Sequence, residues 1–243
     1  VTVQENEFII LQADASLRKT HLGRVHKGRV IPLTYSRVSP YGIKPRNAGQ
    51  YFMQEALMQS AEEAPLVIIK GQAGTAKTFY SLAVGLEKII NHPTGEYRRI
   101  LICRPNAQFD SDIGFLPGTE EEKMQPWMGA LEDNLDVLNQ TDNEAGDWGR
   151  AATRDLIRSR IKVKSLNFMR GRTFLNKLLI IDEAQNLTPK QMKTLITRAG
   201  PGTKVVCLGN IAQIDTPYLT EGSSGLTYVV DRFKGWDHSG HIT

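Results

Sequence analysis

Cysteine is scarce in this 243-residue chain, and the two present, Cys103 and Cys207, both stand inside apolar strand-like runs. That placement predicts buried free thiols in a reducing cytoplasm rather than a disulfide framework or a metal-binding thiol pair. Nowhere is there an apolar run of about eighteen residues, the length that a membrane helix needs, and the N-terminus carries no signal-peptide pattern. A membrane partner is therefore not expected, and the chain reads as cytoplasmic. No internal repeat and no low-complexity segment is found. What remains is 40% hydrophobic, enough for one sizeable core or a core with a small appendage. The first residue is Val1 and a strand pattern begins at His241-Ile242-Thr243, so a fragment of a longer protein, truncated at its C-terminus, is expected.

The net charge of +4 conceals strong segregation. Residues 1 to 50 carry eight Lys/Arg against three Asp/Glu. Residues 106 to 149 hold eleven acids and one lysine, while residues 150 to 177 hold nine bases and one acid. Two readings follow: a basic nucleic-acid surface beside an acidic docking surface, or blocks that neutralise one another within the chain.

Residues 1 to 40 alternate apolar and polar in short runs, such as Phe8-Ile-Ile-Leu and Val30-Ile-Pro-Leu, broken by Gly23, Gly28, Pro32 and Pro40. This predicts a small β-rich element, distinct from a domain over residues 41 to 243. A helical pattern begins at Gln50. Apolar strand runs lie at Leu66–Lys70, Arg99–Cys103, Ile161–Ser165, Lys177–Asp182 and Lys204–Gly209, alternating with helical segments. That order predicts an α/β fold with a mainly parallel sheet, whose functional loops gather at the carboxyl ends of the strands.

The first run enters Gly71-Gln72-Ala73-Gly74-Thr75-Ala76-Lys77-Thr78-Phe79, a glycine-rich loop that opens a helix. Such loops turn backbone N–H groups toward phosphates at the positive end of a helix dipole. In that pattern Lys77 reaches the β- and γ-phosphates and the Thr78 hydroxyl holds Mg²⁺, which makes residues 71 to 79 the nucleotide-binding set. Glycine is usual where this chain has Ala76, so the backbone there is expected to avoid the positive φ that glycine takes cheaply.

A second apolar run, Leu178–Ile181, delivers Asp182 and Glu183 roughly 100 residues further on. Asp182 is placed to hold the Mg²⁺ shell, and Glu183 to orient the attacking water. Thr188, Pro189 and Gln191 spell a helix start with a capping box. The last strand run leads into Gly209-Asn210-Ile-Ala-Gln213. If its strand lies between the other two, Gln213 is sited to sense the γ-phosphate; the plainer reading is a capping amide in a loop.

These motifs, with Arg104-Pro105, Gly114-Phe-Leu-Pro-Gly118, Arg170-Gly-Arg172-Thr and Leu195-Ile-Thr-Arg198, resemble the PhoH-like ATPases, and within them the PIN-PhoH fusion proteins. The resemblance spans roughly residues 41 to 235. It implies a RecA-like P-loop NTPase core related to superfamily 1 helicases, ATP and Mg²⁺ as ligands, action on single-stranded RNA, and a homo-oligomer, by resemblance a hexameric ring. Residue by residue it makes Gly71, Gly74, Lys77 and Thr78 nucleotide and metal ligands, Asp182 and Glu183 the catalytic carboxylates, and Gln213 the γ-phosphate sensor. Gln50 would read adenine through its amide. Asn210 departs from the commoner aspartate, leaving one fewer negative charge near the metal. Phosphoryl transfer also wants a cation on the transition-state oxygens. Arg198 would serve across a subunit interface, and Arg172 at an interface or on RNA; the cation could also lie beyond Thr243. Arg104 and the basic block from Arg150 to Lys177 would hold an RNA backbone without reading its sequence, since only Phe168 and Phe174 offer rings there. In the fusion type a PIN ribonuclease precedes the ATPase, and residues 1 to 40 lack the acidic metal cluster that a nuclease needs. The alternative function is a ring-assembly module in which ATP supports a separate PIN domain.

Overall fold

A computed structural model describes residues 3–12, 20–71, 76–91, 94–103, 105, 155–164, 172–214, 219–234, 236 and 238–243. Arg104, the acidic block at 106 to 149 and the motifs at 114–118 and 170–171 lie outside them.

Three short strands open the chain: β1 (Phe8–Gln12), β2 (Thr20–His26) and β3 (Arg29–Pro32), paired antiparallel in that order. This is the predicted β-rich element. Buried Glu55 fastens it to the rest by accepting from Thr34 N at 2.7 Å and Tyr35 N at 2.8 Å. Buried Asn6 adds a donation to Ser239 O at 3.0 Å.

The larger sheet comprises β4 (Leu66–Lys70), β5 (Arg99–Cys103), β6 (Ile161–Lys164), β7 (Lys177–Ile181), β8 (Lys204–Gly209) and β9 (Ser239–Ile242). They are ordered β6-β5-β7-β8-β4-β9, with every pairing parallel. Both faces are covered, which explains why the central strands read as unbroken apolar runs instead of alternating ones. Val67, Ile68, Ile100, Ile102, Leu179, Ile180, Val206 and Leu208 are all fully buried. At about 1.5–3 kcal/mol for each such side chain, this sheet is the main source of the fold's stability.

Helices α1 (Ala48–Met58) and α2 (Lys77–Leu86) pack on one face. Gly85 lets α2 approach closely, because a Cβ there would stand 2.6 Å from Ile100 Cδ1. A π-helical turn at Glu87–Asn91 continues α2 and turns Glu87 and Lys88 inward; Glu87 accepts from Tyr41 N at 2.8 Å. The other face carries α3 (Pro189–Thr197) and α4 (Gly225–Phe233). The expected capping box is present: Thr188 accepts from Gln191 N at 3.1 Å, and Gln191 Oε1 accepts from Thr188 N at 2.9 Å. The sequence pattern does not announce α4, whose start is capped by Ser224.

Both cysteines are buried and free, on β5 and β8 with β7 between them, and burial pushes the Cys207 thiol up to about 12. No helix among the described residues is long and apolar enough to cross a membrane.

Candidate functional site

The strand order places β8 between β7 and β4, so the loops after all three open on the same edge. This is the condition under which Gln213 stands between the phosphate loop and the carboxylate pair. Gly71 N donates to Gly209 O at 3.0 Å and ties the loop after β4 to the end of β8. Gln72, Ala73, Gly74 and Thr75 lie outside the described residues.

Lys77 and Thr78 stand in the first turn of α2. Lys77 Nζ donates to Gly71 O at 2.9 Å, so the amine lies over the entrance of the loop. Burial lowers its pKa, against the opposing pull of the Glu183 and Asp182 carboxylates. Thr78 Oγ1 donates to Asp182 Oδ1 at 3.1 Å, although the two are 104 positions apart. One oxygen of each therefore lies beside the other. A hydroxyl beside a carboxylate is the all-oxygen donor pair that suits magnesium, so these residues fit the metal that the loop implies.

Asp182 N extends the β7 pairing by donating to Cys103 O at 2.9 Å, which fixes the carboxylate at the strand end. Asp182 is 6% exposed, and its Oδ1 also accepts from Glu183 N at 3.0 Å. Glu183 stands at φ 52°, ψ 41°, the left-handed region. Ala76 does the same at φ 58°, ψ 25°, contrary to the expectation that it would avoid positive φ. The reason is local: Ala76 is the residue from which the chain turns out of the loop into α2, and its carbonyl accepts the first helical bond, from Tyr80 N at 2.9 Å. An L-residue there costs about 1–2 kcal/mol, and two such residues flank the Thr78–Asp182 contact.

Gln185, two residues after Glu183 and given no role by sequence reasoning, joins the two halves. It is fully buried. Its Nε2 donates to Glu183 Oε2 at 2.6 Å and to Gln213 O at 3.1 Å, while its Oε1 accepts from Asn210 N at 3.1 Å. Gly209 makes room for it, since a Cβ there would stand 2.6 Å from Gln185 Oε1. Asn210 is engaged within its own loop, accepting from Ala212 N at 3.1 Å. The signal that would have found Gln185 is its place two residues after the second carboxylate, the shortest reach back to it from a following turn.

Other expected residues are less central. Gln50 Oε1 accepts from Arg46 N at 2.9 Å and Gln50 N donates to Asn47 Oδ1 at 2.9 Å, so its amide helps close the start of α1. Arg198 is the C-cap of α3, and its carbonyl accepts from Phe174 N at 2.8 Å. Because α3 runs back from the carboxyl edge, Arg198 lies toward the opposite end of the sheet from Lys77. Arg172 lies near β5 and β6, lining a cavity with Arg99 and Lys162.

Fold and site together define an α/β domain with a P-loop NTPase core. The model of the PhoH-like protein family matches residues 42–243, and the chain belongs to the PhoH family. It is 38% identical over 242 residues to protein PhoH2 of Bacillus subtilis, covering 98% of this chain and 52% of that one. It is 32% identical over 226 residues to protein PhoH2 of Mycolicibacterium smegmatis, covering 91% and 48%. Against protein PhoH of Escherichia coli K12 it is 35% identical over 192 residues, covering 79% and 50%. The chain spans about half the length of these curated relatives.

Proposed function

We propose that this chain hydrolyses ATP with Mg²⁺ and couples hydrolysis to single-stranded RNA, as a homo-oligomer. The observation that carries the hydrolytic reading is the convergence of Thr78, Asp182, Glu183 and Gln185 at the carboxyl edge of the sheet, beside the phosphate loop. Thr78 and Asp182 would hold magnesium, which when bound would neutralise phosphate charge. Lys77 neutralises phosphate charge, and Glu183 accepts a hydrogen bond from water and aims it at the γ-phosphorus. Gln213 reports the state of the γ-phosphate. Gln50 is the proposed adenine contact.

Arg198 stands too far toward the other end of its own sheet to reach its own nucleotide. In the proposed assembly Arg198 is therefore the transition-state cation for a neighbouring copy's nucleotide and not for its own. The RNA reading is supported by the excess of nine bases over one acid in residues 150 to 177. A ring that serves a separate PIN nuclease domain is the second reading, and RNA-stimulated ATP turnover separates the two. The experiment is phosphate release from ATP by the purified chain with and without single-stranded RNA. Turnover accelerated by RNA supports the proposal; turnover indifferent to RNA favours the assembly module, and absence of turnover overturns the hydrolytic reading.

A further inference from the structure

A second charged site lies away from the nucleotide edge. A cavity of about 320 Å³ is lined by Arg99, Lys162, Lys164, Arg172, Thr173 and Lys177 among others, and none of the described residues lining it is acidic. Strand register explains why five cations collect there. Arg99 and Lys177 are direct partners across β5 and β7, and Leu101 and Lys162 are partners across β5 and β6. Residues two apart on a strand share a face, so Arg99 and Leu101 project together, as do Lys162 and Lys164. The cations thus form a diagonal across three neighbouring strands, on the face that also carries Leu101 and Leu179. Lys162 and Lys164 are about 6.6 Å apart along β6, close to the step between phosphates of an extended single strand.

Arg99 repels Lys177, its direct partner across β5 and β7. Burial lowers the Lys177 pKa, and Arg99 and Arg98 lower it further. A polyanion would relieve that repulsion. Arg99 and Lys177 begin their strands, whereas the nucleotide loops leave the carboxyl ends, so this site is separate from the nucleotide site.

We propose that this cleft is where the phosphate backbone of single-stranded RNA is held. Arg99, Lys162 and Lys177 make the defining contacts. Phe174 is buried in the floor and offers no stacking face, so binding is indifferent to base identity. The inference rests on the RNA half of the proposed function and gives it a location that the basic block alone does not, because Arg99 lies outside that block.

The test is fluorescence anisotropy of a labelled oligouridylate, titrated across a series of salt concentrations. Substituting R99Q, K162Q and K177Q together is expected to weaken binding by about tenfold or more and to reduce the salt slope by about 2, at roughly 0.7 per neutralised phosphate. The charge-keeping variant R99K, K162R and K177R is expected to retain the wild-type slope. Wild-type protein that binds RNA unchanged by the triple glutamine variant overturns the cleft alone; the cations then neutralise the chain's own acidic residues. Equal loss in the charge-keeping variant also overturns it, since the effect would not be electrostatic. Wild-type protein that binds no RNA overturns both the cleft and the RNA half of the function.

Discussion

Thr78 Oγ1 and Asp182 Oδ1 meet at 3.1 Å, joining the first turn of α2 to the end of β7. The two positions are brought together by sheet order alone, because β4 and β7 flank β8. A hydroxyl and a carboxylate this close supply adjacent oxygen donors for a hard cation. Asp182→Asn and Thr78→Ala are each expected to lower ATP turnover by about 100-fold or more, the scale for removing one preorganised electrostatic group. Circular dichroism should show an intact fold in both. Turnover that survives either change, measured over a magnesium titration, would remove the pair from the chemistry.

Gln185 is expected to matter twice. Gln185→Ala leaves Glu183 and the Asn210 N–H without their buried partner, so stability should fall by about 1–3 kcal/mol. Its effect on catalysis should be on kcat rather than KM, because it sets the aim of Glu183 and touches no substrate. Gly209→Ala should reproduce the kcat loss by displacing the Gln185 amide. Urea unfolding with steady-state kinetics checks both, and a change confined to KM would contradict the assignment.

Ala76 offers a test of strain. Replacing it with glycine relieves the left-handed penalty of about 1–2 kcal/mol but adds about 0.4–1 kcal/mol of unfolded-chain entropy. Ala76→Gly is therefore expected to stabilise by up to about 1.6 kcal/mol, and Ala76→Val to destabilise, since branching at Cβ makes positive φ costlier. The urea midpoint reads the result. A glycine variant less stable than wild type would mean that the backbone there is not held at positive φ.

The central strands are legible in the sequence because parallel strands buried on both faces leave continuous apolar runs, as at Leu66–Ile69 and Leu178–Ile181. The start of α3 is legible because Thr188, Pro189 and Gln191 each satisfy a local backbone requirement. Asp182 and Glu183 could be paired with Lys77 and Thr78 because their chemistry is fixed by residue type. The left-handed turn at Ala76 could not be read, since tertiary constraint at the helix entrance overrides alanine's local preference. Gln185 escaped for a different reason. Its role lies in three hydrogen bonds to groups that the sheet order brings near, and a glutamine in a motif looks the same with or without them. Arg99 likewise joins the basic cleft only through its register with Lys177.

Alkaline pH should unfold the domain by a predictable route. Tyr41, Tyr80 and Tyr97 are buried, and burial raises each hydroxyl's pKa above the ordinary 10.0. Their contribution is fully present below about pH 10 and is lost as pH rises above it, because the unfolded chain ionises there first. Lys88 and Lys204, lowered by burial, act in the opposite sense only below their ordinary 10.5. Above about pH 10.5 the three tyrosines together should reduce stability by up to about 4 kcal/mol per pH unit, near 1.4 for each proton. Urea midpoints between about pH 10.5 and 11.5 test this, and a flat profile would contradict it.

The most direct test of the central claim is phosphate release from ATP and magnesium by purified wild-type and Glu183→Gln protein. Wild-type protein should turn over, and Glu183→Gln should retain nucleotide binding while losing about 100-fold or more of the rate. A Glu183→Gln protein that hydrolyses ATP as fast as wild type would contradict the account.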